Sequence, residues 1–346
     1  MEKFIRDRFN DAILHEAARR YGVPPDAVRV LDSFESFIFE FQRQGKEYIL
    51  RIGHSARRNQ TLIEGEVEWI NYLVAGGVSV AQAIYSVSNN LVEAISDGQG
   101  GDFLAVAFVK AAGGPPWSRW TPALYETYGE TIGRMHALTK RFHQAGAPRK
   151  RPEWDDPVFE FVHSYAPASE AIARQKYQQA CDHVRTLPKD SESYGLTHQD
   201  AHGGNLFVDE AGRITLFDFD DCAYNWLVND IAMVLFYILR DEEAVAAYAD
   251  ATAFTREFMS HFLRGYQRAC PLHASWLREI PYFLKIRELE LYAVIHRDFD
   301  VNNLDNKWIA NFMAGRKERI EAGLPYIDFD FEALAPLLAA RLPEPP

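Results

Sequence analysis

Three oxygen-bearing side chains stand in an order that suits one kind of reaction. Asp200 and Asn205 lie in the stretch Leu196 to Val208, and Asp218 follows the short apolar run Ile214 to Phe217. A carboxylate beside an alcohol can hold its proton while the oxygen attacks. An amide oxygen and a second carboxylate suit magnesium, which prefers hard oxygen ligands and fills its remaining positions with water and phosphate oxygens. Phosphoryl transfer asks little more of a protein than such positioning and charge neutralisation. Any one of these residues alone is more often a turn former or a cap. The ordered set is what carries the reading.

The elements around them must deliver all three. Leu196-Thr197 closes an apolar run, and Gly203-Gly204 marks a loop that tolerates positive φ. Leu206 to Val208 reads as a strand, Asp209 to Arg213 as a hairpin turn, and Ile214 to Phe217 as the return strand with Asp218 at its end. His198 and His202 flank Asp200, which also suits a zinc hydrolase loop, provided a further ligand exists elsewhere.

With its spacing His198-x-Asp200-x-His202-x-x-Asn205 followed by Asp218-Phe219-Asp220, the chain resembles the kinase-like aminoglycoside and choline phosphotransferase family, which includes one type of homoserine kinase. The resemblance runs over roughly residues 25 to 300 and is most specific in 196–232. It implies an α+β, bilobed, protein-kinase-like fold with a small β-rich N-lobe and a larger, mostly helical C-lobe. It implies ATP and Mg2+ as cofactors, Asp200 as catalytic base, and Asn205 with Asp218 as metal ligands. It makes His198, His202 and Asp230 structural residues of the site.

The expected N-terminal lobe spans 1–110, with a leading helix over 1–22 closed by Gly22 and Pro24-Pro25. Phe37 to Phe41 and Tyr48 to Ile52 read as a hairpin over a nucleotide. The loop before it, residues 32–36, lacks the glycines that family members often carry, leaving Ser33 and Ser36 as phosphate contacts. Arg51 takes the place of the phosphate-gripping cation, with Lys46 in the turn as the other candidate. On the helix over 64–74, Glu66 shares the face of Trp69, Ile70 and Leu73 and is the expected partner of Arg51. Val78 to Val80 and Leu91 to Ile95 are read as further strands of the sheet. Phe103 to Val109 is a buried strand, and Phe108, Val109 and Lys110 open a hinge whose backbone would meet adenine.

The remaining 111–346 form the expected C-terminal lobe with the catalytic loop, metal site and acceptor pocket. The helix Tyr282 to Ile295 embeds Arg287, Glu288 and Glu290 among apolar residues, so these need partners. Either they pair internally or some of them, with Tyr292, face the acceptor. Asp220 and Asp221 are candidates for a second metal or a substrate amine. Asp230 follows Asp218 by only twelve positions, too few for a long peptide-docking segment. A small hydroxyl acceptor bearing an amine is therefore preferred over a protein Ser/Thr substrate. A non-catalytic nucleotide-binding regulatory module of the same fold is the other alternative.

Composition sets outer limits. The 346 residues exceed one typical domain, and 47% are hydrophobic. A net charge of −12 argues against nucleic acid and anionic membrane as partners. The three cysteines are distant and odd in number, no leader is visible, and the longest apolar run is short, so a cytoplasmic enzyme is expected.

Overall fold

The computed structural model describes residues 1–32, 35–143 and 150–339. The chain divides into two compact units, neither a single stretch. One holds 1–114, 142–152 and 206–220, and the other holds 115–141, 153–205 and 221–346. The simple cut expected near residue 110 thus becomes an interleaved division. The reason is visible within the first unit, where the hairpin carrying Asp218 bonds to its partners. Leu216 donates its N–H to the Ser79 carbonyl (3.1 Å) and accepts from Ala81 (2.8 Å), and Val208 exchanges backbone bonds with Gly114.

The first unit opens with two helices rather than one, α1 (Lys3–Arg8) and α2 (Asp11–Arg20). Asn10 breaks the run because its side chain accepts from Ala12 and Ile13, a capping geometry that needs an extended backbone. The sheet follows: β1 (Arg29–Asp32), β2 (Phe37–Arg43), β3 (Lys46–His54), β4 (Ala83–Ile84), β5 (Glu93–Ser96) and β6 (Asp102–Val109), with α3 (Gln60–Ala75) between β3 and β4. The order is β1-β2-β3-β6-β4, with β5 also pairing β6, all antiparallel. Val78 to Val80 does not join this sheet. Val80 forms a single bridge to Leu216 instead.

Strand alternation places the first half of the site. Phe39, Phe41, Tyr48, Leu50 and Ile52 point to one face, where they bury against Ile13, Ala17 and Tyr21 of the leading helices. Phe9 completes that core by stacking on Phe37 at 3.8 Å. Arg51, between Leu50 and Ile52, must then point to the opposite face. Asn59 caps α3 by accepting from Leu62, so the helix starts four residues before the expected Glu64.

In the second unit α4 (Pro122–Thr139), α5 (Phe161–Tyr165) and α6 (Ala171–Val184) precede a two-stranded ribbon of Tyr194–Thr197 and Ala223–Trp226. Then come α7 (Val228–Ile238), α8 (Glu242–Ala246), α9 (Ala251–Ala269), α10 (Ile280–Asp298), α11 (Lys307–Met313), α12 (Arg316–Glu321) and α13 (Ala335–Ala339). α4 and α9 touch backbone to backbone. A Cβ on Gly129 would lie 1.9 Å from the Phe262 carbonyl oxygen, so only glycine permits this approach. As the all-apolar run implied, α7 is buried on nearly every side. Among the described residues no helix is long and apolar enough to cross a membrane.

Candidate active site

In the first unit Arg51 and Glu66 form a two-point ion pair, with N–O distances of 2.9 and 2.6 Å. Glu66 is fully buried and the Arg51 side chain is 9% exposed. The paired geometry matches the fork of a guanidinium to the two oxygens of a carboxylate. Phe108 lies under the Arg51 guanidinium at 5.1 Å. Lys46 is exposed and opens β3 rather than lying in the turn. Ser36 is buried, with its hydroxyl near Gly53, whereas Ser33 lies outside the described residues.

The expected hinge spends two of its backbone donors on protein partners. Val109 donates its N–H to Gln82 (2.8 Å) and Lys110 donates to Glu47 (3.1 Å). Those two donors are already used within the sheet and its edge, so they are not the ones left for a base. The Lys110 ammonium pairs with Glu40 and Glu47.

Asp218 adopts a left-handed backbone, φ 63°, an uncommon conformation that aspartate tolerates better than most residues. The neighbouring Phe219 is buried edge-on against Trp69 of α3 at 5.3 Å, which fixes the turn. Asp220 is surrounded by arginines. Arg57 bonds it, Arg58 lies 3.7 Å away and Arg51 4.0 Å, and Arg151 donates to its carbonyl at 2.7 Å. Burial pushes the Asp220 carboxyl up, but Arg57, Arg51, Arg58 and Arg151 outweigh it and hold it well below the usual range. A carboxylate so committed is not poised for a substrate amine, and we set that reading aside.

The second unit holds the loop from His198 to Asn205. The Asp230 carboxylate accepts the N–H groups of His198 (2.8 Å) and Gln199 (2.9 Å), which bends the loop through Gln199 at φ 71°. Asp230 is in turn faced by His136 Nε2 (3.1 Å), whose Nδ1 meets the Tyr266 hydroxyl (2.8 Å). His136 is therefore a satisfied core histidine, and His198 is fully buried. The Tyr128 hydroxyl donates to the Ala201 carbonyl and ties down the next residue.

Asp200 stands at the tip of this loop. Asn205 Nδ2 donates to its carbonyl oxygen (2.9 Å) and to Oδ2 (3.0 Å). With the amide nitrogen so engaged, the side-chain oxygen of Asn205 is not the atom that faces Asp200. His202 Nδ1 accepts from Gly204 (2.8 Å), which turns Nε2 toward Asp200, 3.3 Å from its Oδ2. Arg287 donates to Asp200 Oδ1 at 2.9 Å. Burial pushes the Asp200 carboxyl up, but His202, Arg287 and His198 together hold it well below the usual range.

The helix α10 sorts its charges. Glu288 is fully buried and pairs with Arg316 (2.6 Å) and Lys285. Tyr292 is buried and donates to Glu170 (2.9 Å). Both are internal, and we drop them as acceptor contacts. Glu290 and Asp221 line a small polar cavity of about 40 Å³ that also borders Arg287.

Sequence reasoning missed a wide opening of this unit. A cavity of about 670 Å³ borders His202, Gly203 and Gly204 and is walled by Trp117, Trp120, Tyr237 and Trp308. Asp241, Glu242 and Glu243 supply its carboxylates. Trp120 donates to Asp241 at 2.8 Å, Ser118 bonds Glu243, and Lys307 pairs with Glu242. Trp117 packs so closely on the loop that a Cβ at Gly203 would stand 2.7 Å from its ring. The pair Trp117-Ser-Arg-Trp120 and the acidic run Asp241 to Glu243 were the available signals. Nothing in their spacing joins them to each other or to Trp308.

Sheet-based and helical units with these loops define a kinase-like fold. A family model described as the phosphotransferase enzyme family, APH, matches residues 28–272, and the chain belongs to that family. The amicoumacin kinase of Bacillus subtilis (strain 168) is 39% identical over 336 residues, covering 96% of this chain and 99% of that protein. A solved amicoumacin kinase, in complex with AMP-PNP, Ca2+ and Ami, matches with a TM-score of 0.90 and 36% identity over 96% of this chain and 100% of that one. A microcompartment-associated aminopropanol kinase has a TM-score of 0.71 at 22% identity, over 91% and 98% of the two chains, and shows the fold alone. The resemblance read from the loop motifs therefore holds, as do the α+β class and the class of small-molecule kinase. Among the described residues no three His, Cys, Asp or Glu side chains gather as a zinc site would need.

Proposed function

We propose that the chain moves the γ-phosphoryl group of ATP to a hydroxyl of a small, amine-bearing molecule of the amicoumacin type. The observation that carries this reading is the aromatic and acidic cavity bordering His202 to Gly204. Its volume suits a drug-sized ligand. Indole rings can stack on a flat ring system or face a cation, and the carboxylates suit an ammonium group. The near full-length identity to an amicoumacin kinase supports the same choice.

In this reading Asp200 orients the acceptor hydroxyl. The acceptor oxygen bonds to the γ-phosphorus as the bond to the bridging oxygen breaks and ADP leaves. The hydroxyl proton passes to Asp200 and on to water. Because Asp200 is held weakly basic, its main service is alignment, in keeping with a loose transition state. Asn205 and Asp218 fit magnesium through their hard oxygens, the first with its amide nitrogen already tied and the second at the end of a fixed turn. When bound, the ion would neutralise charge on the phosphates. Arg51 keeps N–H groups beyond the two given to Glu66, and these suit the non-transferred phosphates. A cytoplasmic setting is supported by three buried thiols.

Purified protein with MgATP and amicoumacin should yield a monophosphorylated product by mass spectrometry, with aminopropanol and homoserine as comparison acceptors. Asp200→Asn should lower kcat by about 10³-fold while AMP-PNP binding persists. Nucleotide binding without transfer to any acceptor would favour the regulatory module.

A further inference from the structure

The carboxylate of Asp200 has more partners than phosphoryl transfer by alignment alone explains. An ionised carboxylate offers about four lone-pair positions. Oδ2 takes a hydrogen bond from Asn205 and has His202 Nε2 3.3 Å away, and Oδ1 takes one from Arg287, which among the described residues leaves one position on Oδ1. Arg287 therefore decides where that last position points.

Arg287 is itself braced. The nitrogen that reaches Asp200 also donates to the Tyr237 hydroxyl at 2.5 Å, and the Tyr237 ring lies 5.3 Å from the guanidinium. On its other side NH1 stands 3.7 Å from Glu290, one turn along the same helix. Tyr237 also walls the large cavity and tilts against His202 at 4.4 Å. The brace thus runs from the proposed acceptor cavity to Asp200 and ends at Glu290.

We propose that Arg287 is a positioning residue for the transfer step: held by Tyr237 and Glu290, it fixes Asp200 Oδ1 so that the remaining lone pair receives the acceptor hydroxyl. The proposal rests on the reading of Asp200 given above. Glu290 is faced by Arg287 on its own helix, by Asp221 ahead of the ribbon strand, by Glu160 ahead of α5, and by Tyr177 and Cys181 of α6. Burial is the largest influence on it and pushes its carboxyl up to about 7; Arg287 pulls the other way, and Asp221 and Glu160 add to the rise. Below that pH a neutral Glu290 no longer braces the guanidinium by charge, so turnover should fall on the acid side.

The test uses the full chain with MgATP and amicoumacin, following kcat and both KM values from pH 5.5 to 9. Arg287→Met should lower kcat by about 30-fold with both KM values within about twofold, and Arg287→Lys should recover part of it. Glu290→Gln should lower the alkaline plateau and remove the acid limb near pH 7, which a merely structural role would not do. Should Arg287→Met fail to fold, the lysine and Glu290→Gln variants carry the test. An unchanged kcat, a loss confined to the acceptor KM, or an acid limb that survives in Glu290→Gln would each overturn the proposal. A wild type inert toward every acceptor would instead bring down the kinase reading, and this proposal with it.

Discussion

Asp220 and Asp200 are the same residue type in neighbouring motifs, yet their surroundings give them opposite characters. Asp220 sits among Arg51, Arg57, Arg58 and Arg151 and has no stake left to offer. Asp200 has one arginine and Asn205 as donors with His202 nearby, and among the described residues its Oδ1 keeps one lone-pair position open. In the first unit, arginines and acids close on one another, with Arg57 joining Glu35 to Asp220 and Arg51 joining Glu66. In the second, the network leaves a position open on Asp200 Oδ1 among the described residues. A saturated charge cluster builds a frame, whereas a nearly saturated one aims a reactive group.

The sharpest way to break this contrast is to open the saturated cluster. Arg51→Met should leave Glu66 buried without its partner. That costs about 3–5 kcal/mol of stability, read by denaturant unfolding, and should raise the KM for ATP more than tenfold. A variant as stable as wild type would show the cluster to be ornamental rather than a frame.

A smaller effect should come from Glu290. Its folded-state carboxyl is raised from 4.5 to about 7, mainly by burial. Between those values the folded chain keeps a proton that the unfolded chain releases. Stability should therefore be fullest below pH 4.5 as far as this group is concerned, and its contribution should be lost as pH rises to 7. The loss is at most about 3 kcal/mol. Thermal unfolding against pH, compared with Glu290→Gln, should show the slope in wild type and its reduction in the variant. Parallel curves would mean that Glu290 is ionised throughout.

The smallest change is expected at the cavity wall. Trp117 is 49% exposed, so Trp117→Ala should leave the fold intact. The KM for amicoumacin should rise about fivefold, near 1 kcal/mol, with the KM for ATP unchanged. Unchanged acceptor kinetics would move the acceptor away from this wall.

Much of the frame could be read from local pattern. The alternation Tyr48, Leu50, Ile52 put Arg51 on the other face, and helical spacing put Glu66 with Trp69 and Ile70, so their pairing followed from two periodicities. The hairpin from Leu206 to Leu216 followed from its turn residues. Reading was weaker where a side chain competed with the backbone, as at Asn10, whose cap split the leading helix. It was weaker again on α10, where spacing alone could not say that Glu288 turns inward to Arg316 while Arg287, one residue earlier, reaches Asp200.

The sequence by itself determined the order and spacing of the candidate site residues. Residue types at short, fixed separations specify a loop with a carboxylate and an amide, and a hairpin whose return strand ends in a second carboxylate, because backbone geometry over a few residues leaves little freedom. Tertiary structure alone decided the company these residues keep. Arg287 meets Asp200 across 87 positions, and Trp117, Asp241 and Trp308 share one wall. Such meetings depend on how whole helices pack, and helix packing is set by the summed burial of many side chains rather than by any spacing written along the chain.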